Sequence, residues 1–232
     1  MADLASQDWA QARQRLDEEG VAVLPRLLDT LECATLRALY PKGERFRSRV
    51  VMQRHGYGRG EYQYFAEPLP ELVKQLRERV YPQLVPVANA WAERLREQLR
   101  YPDTHAAFRQ QCHAAGQTRP TPLLLRYGTG DYNCLHQDLY GELSFPLQLV
   151  VLLSEPGKDF QGGEFLLVEQ RPRMQSRARV VSLGLGDAAI FAVNHRPAQG
   201  TRGVYRLKLR HGISTVTNGE RFALGVIFHD AN

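Results

Sequence analysis

Cysteine is scarce in this chain. The three present, Cys33, Cys112 and Cys134, form no CxxC pair and leave one unmatched. A disulfide framework or a cysteine-based zinc site is therefore not expected, which suits a reducing compartment. Long apolar runs are also missing. No stretch approaches the roughly 18 consecutive apolar residues of a membrane span. The opening Met1-Ala2-Asp3-Leu4-Ala5 has an early acid and no apolar segment of the signal-peptide kind. These absences predict a soluble, cytoplasmic protein without a membrane partner. Lysine is nearly absent, occurring only at Lys42, Lys74, Lys158 and Lys208, so the net charge of +5 is carried mostly by arginine. A mildly basic surface is compatible with anionic partners and equally with a genome that favours arginine codons. There is no low-complexity segment and no internal repeat.

What is present fits one domain. The chain has 232 residues, 43% of them hydrophobic, enough for a substantial core. A helix is expected over 7–19, stopped by Gly20, then a short strand at 21–24. Asp29 reads as the N-cap of a helix reaching about Tyr40. Residues 48–65 predict two strands joined by His55-Gly56-Tyr57-Gly58. Residues 68–100 predict a mostly helical stretch broken near Pro82 and Pro86, followed by a short helix between 102 and 113. From Thr121 the character changes. Short β-rich segments, punctuated by glycine, are expected at 123–127, 134–138, 147–153, 163–168, 179–183, 188–193, 204–209, 212–216 and 222–229. The fold class is therefore mostly β with N-terminal helices (α+β): a double-sheet jelly roll, or double-stranded β-helix, braced by helices. Residues 1–120 form the helical and strand support and residues 121–232 the core, within a single domain.

Two separated signals carry chemistry. His136-x-Asp138 puts two potential ligands on one face of a strand, because side chains alternate with a period of two. His211 lies on a late strand, and Arg221 follows ten residues on. Two histidines and a carboxylate on neighbouring strands can cap one face of an octahedral metal and leave the other open, the ligand pattern of non-haem Fe(II) oxygenases. His195 is the rival third ligand, but the arginines after it stand at other spacings. His55, His105, His113 and His229 lack partners at ligand spacing, and Cys134 reads as core.

The stretch from Leu123 to Phe228 resembles the catalytic core of the Fe(II)- and 2-oxoglutarate-dependent dioxygenases of the prolyl-hydroxylase-like type. The elements recur in order: Tyr127 leading to His136-x-Asp138, an apolar strand, Gly162-Gly163-Glu164, Gly186-Asp187 before Ile190-Phe191, then His211 and Arg221. The run 20–25 followed by a helix resembles their usual opening. The resemblance implies that His136, Asp138 and His211 bind iron and that Arg221 salt-bridges 2-oxoglutarate, with Tyr127 and Gln148 lining its pocket. It implies Fe(II), 2-oxoglutarate and O2 as cofactor and co-substrates. The implied reaction hydroxylates or oxidatively demethylates an unidentified substrate, with release of succinate and CO2. The second pocket tyrosine of the prolyl hydroxylases is replaced near Leu152. More narrowly, the chain resembles a bacterial branch assigned to damaged DNA. It lacks, however, the Arg-x-Asn-x-x-x-x-x-Arg signature of alkylation-repair dioxygenases: the tail reads Asn218-Gly219-Glu220-Arg221 with one arginine.

Three readings stay open at this point. One is a hydroxylase of a protein or small molecule, another an oxidative repair enzyme for damaged nucleic acid, and the third a non-catalytic jelly-roll binding module. Candidate substrate segments are the Arg- and Tyr-rich stretch 45–65, expected at the mouth of the site, the insert 191–211, and the basic run 171–179. Each can also be a solvated basic strand edge.

Overall fold

The computed structural model describes residues 3–138, 141–201 and 203–232. Helix α1 (Trp9–Glu19) begins where the Asp8 side chain accepts the Gln11 N–H, and it stops at Gly20 in the left-handed conformation. Strand β1 (Val21–Leu24) follows directly. Helix α2 (Thr30–Arg37) opens with a reciprocal capping box between Asp29 and Glu32. It ends at Arg37, short of the expected Tyr40, and the chain continues in tight turns. Strands β2 (Phe46–Val51), β3 (Gly58–Arg59) and β4 (Glu61–Phe65) follow, with a single 3-10 turn at Met52–His55 between the first two.

Helix α3 (Glu71–Arg94) runs unbroken through Pro82 and Pro86, against the expected interruption. An interior proline costs about 3 kcal/mol, because it removes a hydrogen bond and crowds the preceding turn. Here both prolines are exposed, as is Glu78, whose carbonyl loses its donor. Water can serve those carbonyls. The opposite face buries Val73, Leu76, Val80, Leu84 and Trp91, and that burial decides the conformation. Helix α4 (His105–Ala114) is capped by Thr104.

The remaining chain is β5 (Leu123–Tyr127), β6 (Tyr132–His136), β7 (Leu147–Leu152), β8 (Phe160–Gly162), β9 (Phe165–Gln170), β10 (Arg177–Val181), β11 (Ala188–Ala192), β12 (His195–Gly200), β13 (Gly203–Ile213), β14 (Val216–Gly219) and β15 (Arg221–Val226). The segments expected at 204–209 and 212–216 are one long strand, β13, with β14 separate. A seven-stranded sheet has the order β1-β11-β7-β15-β5-β4-β2; a six-stranded sheet runs β10-β9-β13-β6-β3, with β12 on β13; β14 pairs with β8. These pairings are antiparallel. Strands β1, β2 and β4 from the first half belong to the larger sheet, and β3 to the smaller. Every residue of β7 and β15 is buried, as strands covered on both faces must be. No described helix is long and apolar enough to cross a membrane.

The end of the chain is clamped by buried polar groups. Arg77, almost fully buried, reaches the Asp230 carboxylate at 2.8 Å and the Phe228 carbonyl at 3.0 Å. The His105 Nε2–H donates to the same carbonyl at 2.9 Å. His229 accepts the Phe145 N–H on its Nδ1 at 3.1 Å. Burial, reinforced by the Arg77 charge, pulls His105 down to about 3 and His229 down to about 4. Both histidines are thus neutral in the folded protein while the unfolded chain takes up their protons below about 6.5.

The sign follows from that difference. Their contribution to stability is complete above about pH 6.5 and is lost as pH falls toward 4. Each histidine should remove about 1.4 kcal/mol of stability per pH unit inside that window. Urea unfolding at pH 7, 6 and 5 should show the loss, and His105→Gln should roughly halve its slope. A constant unfolding free energy from pH 7 to 5 would mean that both histidines are charged in the fold.

Candidate metal centre and its cavity

Strands β6 and β13 place His136 and His211 directly opposite each other. Their ring centroids lie 4.2 Å apart. The register then slips, so that Ile213 faces Asn133. At this bulge the strands come very close. A Cβ on Gly212 would stand 2.7 Å from the Asn133 carbonyl oxygen and 3.2 Å from that of Cys134. Only glycine permits that approach.

Asp138 arrives differently from the expectation. Strand β6 ends at His136, so the two residues do not share one strand face. The chain turns after His136, and Gln137 pins the turn. Its Nε2 reaches the Asn194 carbonyl at 3.0 Å, the Asn194 side-chain oxygen at 2.7 Å and the Leu209 carbonyl at 2.8 Å. Asp138 then sets Oδ1 3.4 Å from His136 Nε2 and Oδ2 3.3 Å from His211 Nε2. One ligand atom from each of the three residues lies within 4.8 Å of the others.

This cluster is suited to a cation. His136 Nδ1 lies 2.8 Å from the Cys134 carbonyl, so it carries the proton and turns the Nε2 lone pair toward Asp138. A lone pair facing a carboxylate needs a proton or a metal between them. Burial alone would raise the Asp138 pKa, but the two imidazoles hold it well below the usual carboxylate range. Burial pulls His136 down, and Asp138 outweighs it and raises it. His211 is lowered by burial and by its neighbour His136. Phe191 packs on the His211 ring at 4.7 Å and Phe165 at 6.2 Å.

The three residues line a cavity of about 300 Å³ between the sheets. Arg221 lines it too, and stands directly opposite Tyr127 in the β15–β5 register. Arg221 is 2% exposed and has no ion pair among the described residues. Its guanidinium lies 5.7 Å from the Tyr127 ring and 5.9 Å from that of Phe160. Burial lowers it to about 10 against the partial support of Tyr127 and Glu164. Gly163, at a φ of +63°, makes room for it: a Cβ there would lie 3.0 Å from Arg221 Cδ. Gln148 also faces the cavity, and its buried Oε1 has no hydrogen-bond partner among the described residues. A buried cation without an anion and a buried acceptor without a donor are both poised for a polar ligand.

His211 lies near the end of β13, not at the opening of a strand as expected. His195 is remote: its Nε2 contacts Glu97 at 3.2 Å, outside the cavity. Cys134, expected in the core, is exposed. His55 stacks on Tyr57, which lines the cavity. Sequence reasoning missed Gln137, Asn133 and the pair Phe165 and Phe191. Counting alternate residues outward from Arg221, Tyr127 and Gln148 would have found more of the lining.

Residues 60–231 match the model of a family described as an oxygenase catalysing oxidative methylation of damaged DNA. The chain belongs to this oxygenase family. A Mycobacterium tuberculosis protein of uncharacterised function is 50% identical to the oxygenase over 167 residues, 72% of each chain. Among solved structures it is similar to a Pseudomonas putida prolyl-4-hydroxylase, with 14% identity, a TM-score of 0.54 and coverage of 97% of this chain and 99% of that one. It is also similar to an oxidoreductase of the 2OG-Fe(II) oxygenase family from Burkholderia pseudomallei, with 16% identity, a TM-score of 0.56 and coverage of 97% and 93%. At these identities the oxygenase shares their fold.

The close approach at Gly212 yields a direct test. In Gly212→Ala the added methyl meets backbone, which cannot rotate away. The oxygenase should lose about 1–3 kcal/mol of stability, the usual range for overpacking. Urea unfolding checks this. A neutral substitution would show that β6 and β13 can separate freely.

Proposed function

We propose that His136, Asp138 and His211 hold Fe(II), that Arg221 binds 2-oxoglutarate with Tyr127 and Gln148 lining its site, and that the oxygenase hydroxylates or oxidatively demethylates a C–H group of its substrate. The observation that carries this is the placement of Arg221, buried and without an ion pair among the described residues, in the cavity where the three ligand atoms converge. Residues 121–232 carry the chemistry, and residues 1–120 support them and supply part of the rim. A cytoplasmic setting agrees with the exposed free thiol of Cys134.

The side chains divide the work. The three ligands come from one side and leave positions open toward the cavity. The planar Arg221 fork can take a carboxylate in two parallel hydrogen bonds. Leu152 offers no hydroxyl, so the anchoring falls on Arg221. Phe165 and Phe191 pack against His211, shield it from water and fix its ring. Iron with 2-oxoglutarate and O2 supplies the oxidising power that no side chain has. The balance is one oxygen atom of O2 into succinate and the other into the substrate alcohol, with CO2 released. If the carbon is an N-methyl, the alcohol breaks down to formaldehyde and the free N–H.

Arg221→Met should raise the 2-oxoglutarate requirement roughly 10- to 100-fold, the loss of a charge-assisted hydrogen-bond pair. Mn(II) binding by that variant should match the native protein, whereas His211→Ala should abolish it. Titrations of both ligands separate the two roles. Native 2-oxoglutarate dependence in Arg221→Met would assign the anchor elsewhere.

For the substrate, the rim supports a nucleic acid. His55 and Tyr57 stack with ring centroids 5.3 Å apart, and Tyr57 is half exposed. Arg54 has no ion pair among the described residues, and Arg59 meets Asp131 only at 4.0 Å. Exposed aromatic faces and exposed arginines on one short segment suit bases and phosphates, as the family description would require. Single-stranded DNA binding should weaken steeply with salt, and Arg54→Ala with Arg59→Ala should reduce the log–log slope by roughly 1.4, about 0.7 per phosphate contact. Salt-insensitive binding would favour a protein or small-molecule substrate.

A further inference from the structure

The amide side chains of Asn133, Gln137 and Gln148 line the cavity. The protein engages the first two. Gln137 spends its Nε2 hydrogens on Asn194 and Leu209, and Asn133 Nδ2 lies 3.4 Å from the Tyr127 hydroxyl. Gln148 differs. It is 6% exposed, and its Oε1 is buried without a hydrogen-bond partner among the described residues. The side chains around it offer none. Phe191 stands opposite it on β11, and Val150 follows it on the same face of β7. On the other side Val226 pairs with Leu149, so the next step sets Ile227 beside Gln148.

These neighbours fix which end of the cavity Gln148 serves. Phe191 packs on the candidate metal ligand His211, with ring centroids 4.7 Å apart. Arg221 lies six residues before Ile227, about 20 Å of extended chain. Gln148 therefore belongs to the metal end and Arg221 to the other. The half-exposed Tyr57 lines the same cavity, which thus opens to the surface.

A glutamine amide has two different ends, one acceptor and one donor. Gln148 lines the metal end of the co-substrate's site, but 2-oxoglutarate carries only carboxylates and a ketone, all acceptors, and O2 brings no hydrogen. Whichever way the amide turns, these partners can satisfy its N–H end alone. Among the reactants, only the primary substrate can bring a hydrogen to the other end. We infer that Gln148 reads the primary substrate by pairing both ends of its amide with an N–H and a C=O on one edge of the group that enters, as an oxo-bearing nucleobase presents them. This rests on the proposed roles of the metal ligands and Arg221. A side-chain amide pairs with a base edge in this two-bond manner. A trans peptide group points its N–H and C=O to opposite sides and could engage one end only. The competing reading is an ordered water held by the amide.

2-Pyridone carries such an edge on a ring of base size, and its 1-methyl derivative has lost the N–H. Isoleucine-methyl NMR can follow both, because the chain has only three isoleucines. Ile227 lies beside Gln148, Ile213 lines the cavity next to Gly212, and Ile190 is buried and outside the lining. The titrations would be run on protein loaded with Zn(II) and 2-oxoglutarate, and again without them. 2-Pyridone should shift Ile227, leave Ile190 in place and bind roughly tenfold more tightly than the methyl derivative. Gln148→Met keeps the side-chain length and removes both amide ends, so there the two probes should bind alike while 2-oxoglutarate affinity stays at the native level. If that variant fails to fold, the side-chain amide signals of Gln148 in the native protein carry the test, since 2-pyridone should move them further than the methyl derivative does. Equal binding of the two probes to the native protein would overturn the inference. So would unmoved amide signals, a preference that survives in Gln148→Met, or a loss of 2-oxoglutarate affinity in that variant as large as in Arg221→Met. Failure of Zn(II) and 2-oxoglutarate to bind the native protein would sink the oxygenase chemistry instead, and the probe comparison on the unloaded protein would still decide the role of Gln148.

Discussion

The close approach of β6 and β13 is the constraint on which the site depends. Two antiparallel strands bring His136 and His211 face to face, and the missing side chain of Gly212 lets the backbones touch at the bulge. Without that contact the imidazoles would diverge, and Asp138 would have nothing to bridge. The turn that returns Asp138 is held from the same two strands, since Gln137 reaches the Leu209 carbonyl on β13. One backbone geometry therefore fixes all three candidate ligands. This is the advantage of building a site on strands in place of mobile loops.

Electrostatics then divides the cavity. The buried carboxylate of Asp138 is compensated by two imidazoles, while the buried guanidinium of Arg221 has no ion pair among the described residues and only the partial support of Tyr127 and Glu164. Burying a cation away from an ion-pair partner costs stability. Tyr127 and Phe160 offset part of the cost with their ring faces, and the remainder is left to a ligand. Between these polar groups Leu123, Leu125, Val150, Ala223 and Gly225 give the cavity apolar walls.

Much of this was legible in the residues and some was not. His-x-Asp, the late histidine and the arginine ten residues on are local patterns, and the structure brings all four residues to one cavity. Tyr127 and Gln148 both line the cavity because each shares the inward phase of its strand, Tyr127 opposite Arg221 and Gln148 level with Ile227. The apolar lining stayed hidden because Leu123, Val150 and Ile227 look like core in any β-rich sequence; only the register with Gly225 brings them to the cavity. The basic segments could not be sorted by composition for a related reason. Arg47 lies over the Tyr64 ring and donates to the Pro120 carbonyl, Arg49 pairs with Glu61, Arg196 is buried against Glu169, and Arg206 meets Glu97, 109 residues away in sequence. Partners so distant cannot be counted from composition, so a cationic run overstates the charge left for a ligand. Pro82 and Pro86 misled because propensity is local while the burial that overrides it is tertiary.

The helical half is tied to the site by the end of the chain. Arg77 on α3 grips the Phe228 carbonyl and Asp230, and Arg109 and His113 of α4 reach the other Asp230 oxygen at 3.1 and 2.9 Å. Phe228 and Asp230 lie within three residues of Ile227, which lines the cavity. A fully buried ion pair contributes little net stability over an apolar pair, but losing one member is severe because it strands the other charge. Its value here is positional. It holds the continuation of β15 in one register, and β15 carries Arg221 at one end of the cavity and leads into Ile227 at the other. The placement of Arg221 and Ile227 along the cavity is thus tied to a charge clamp between the helices and β15.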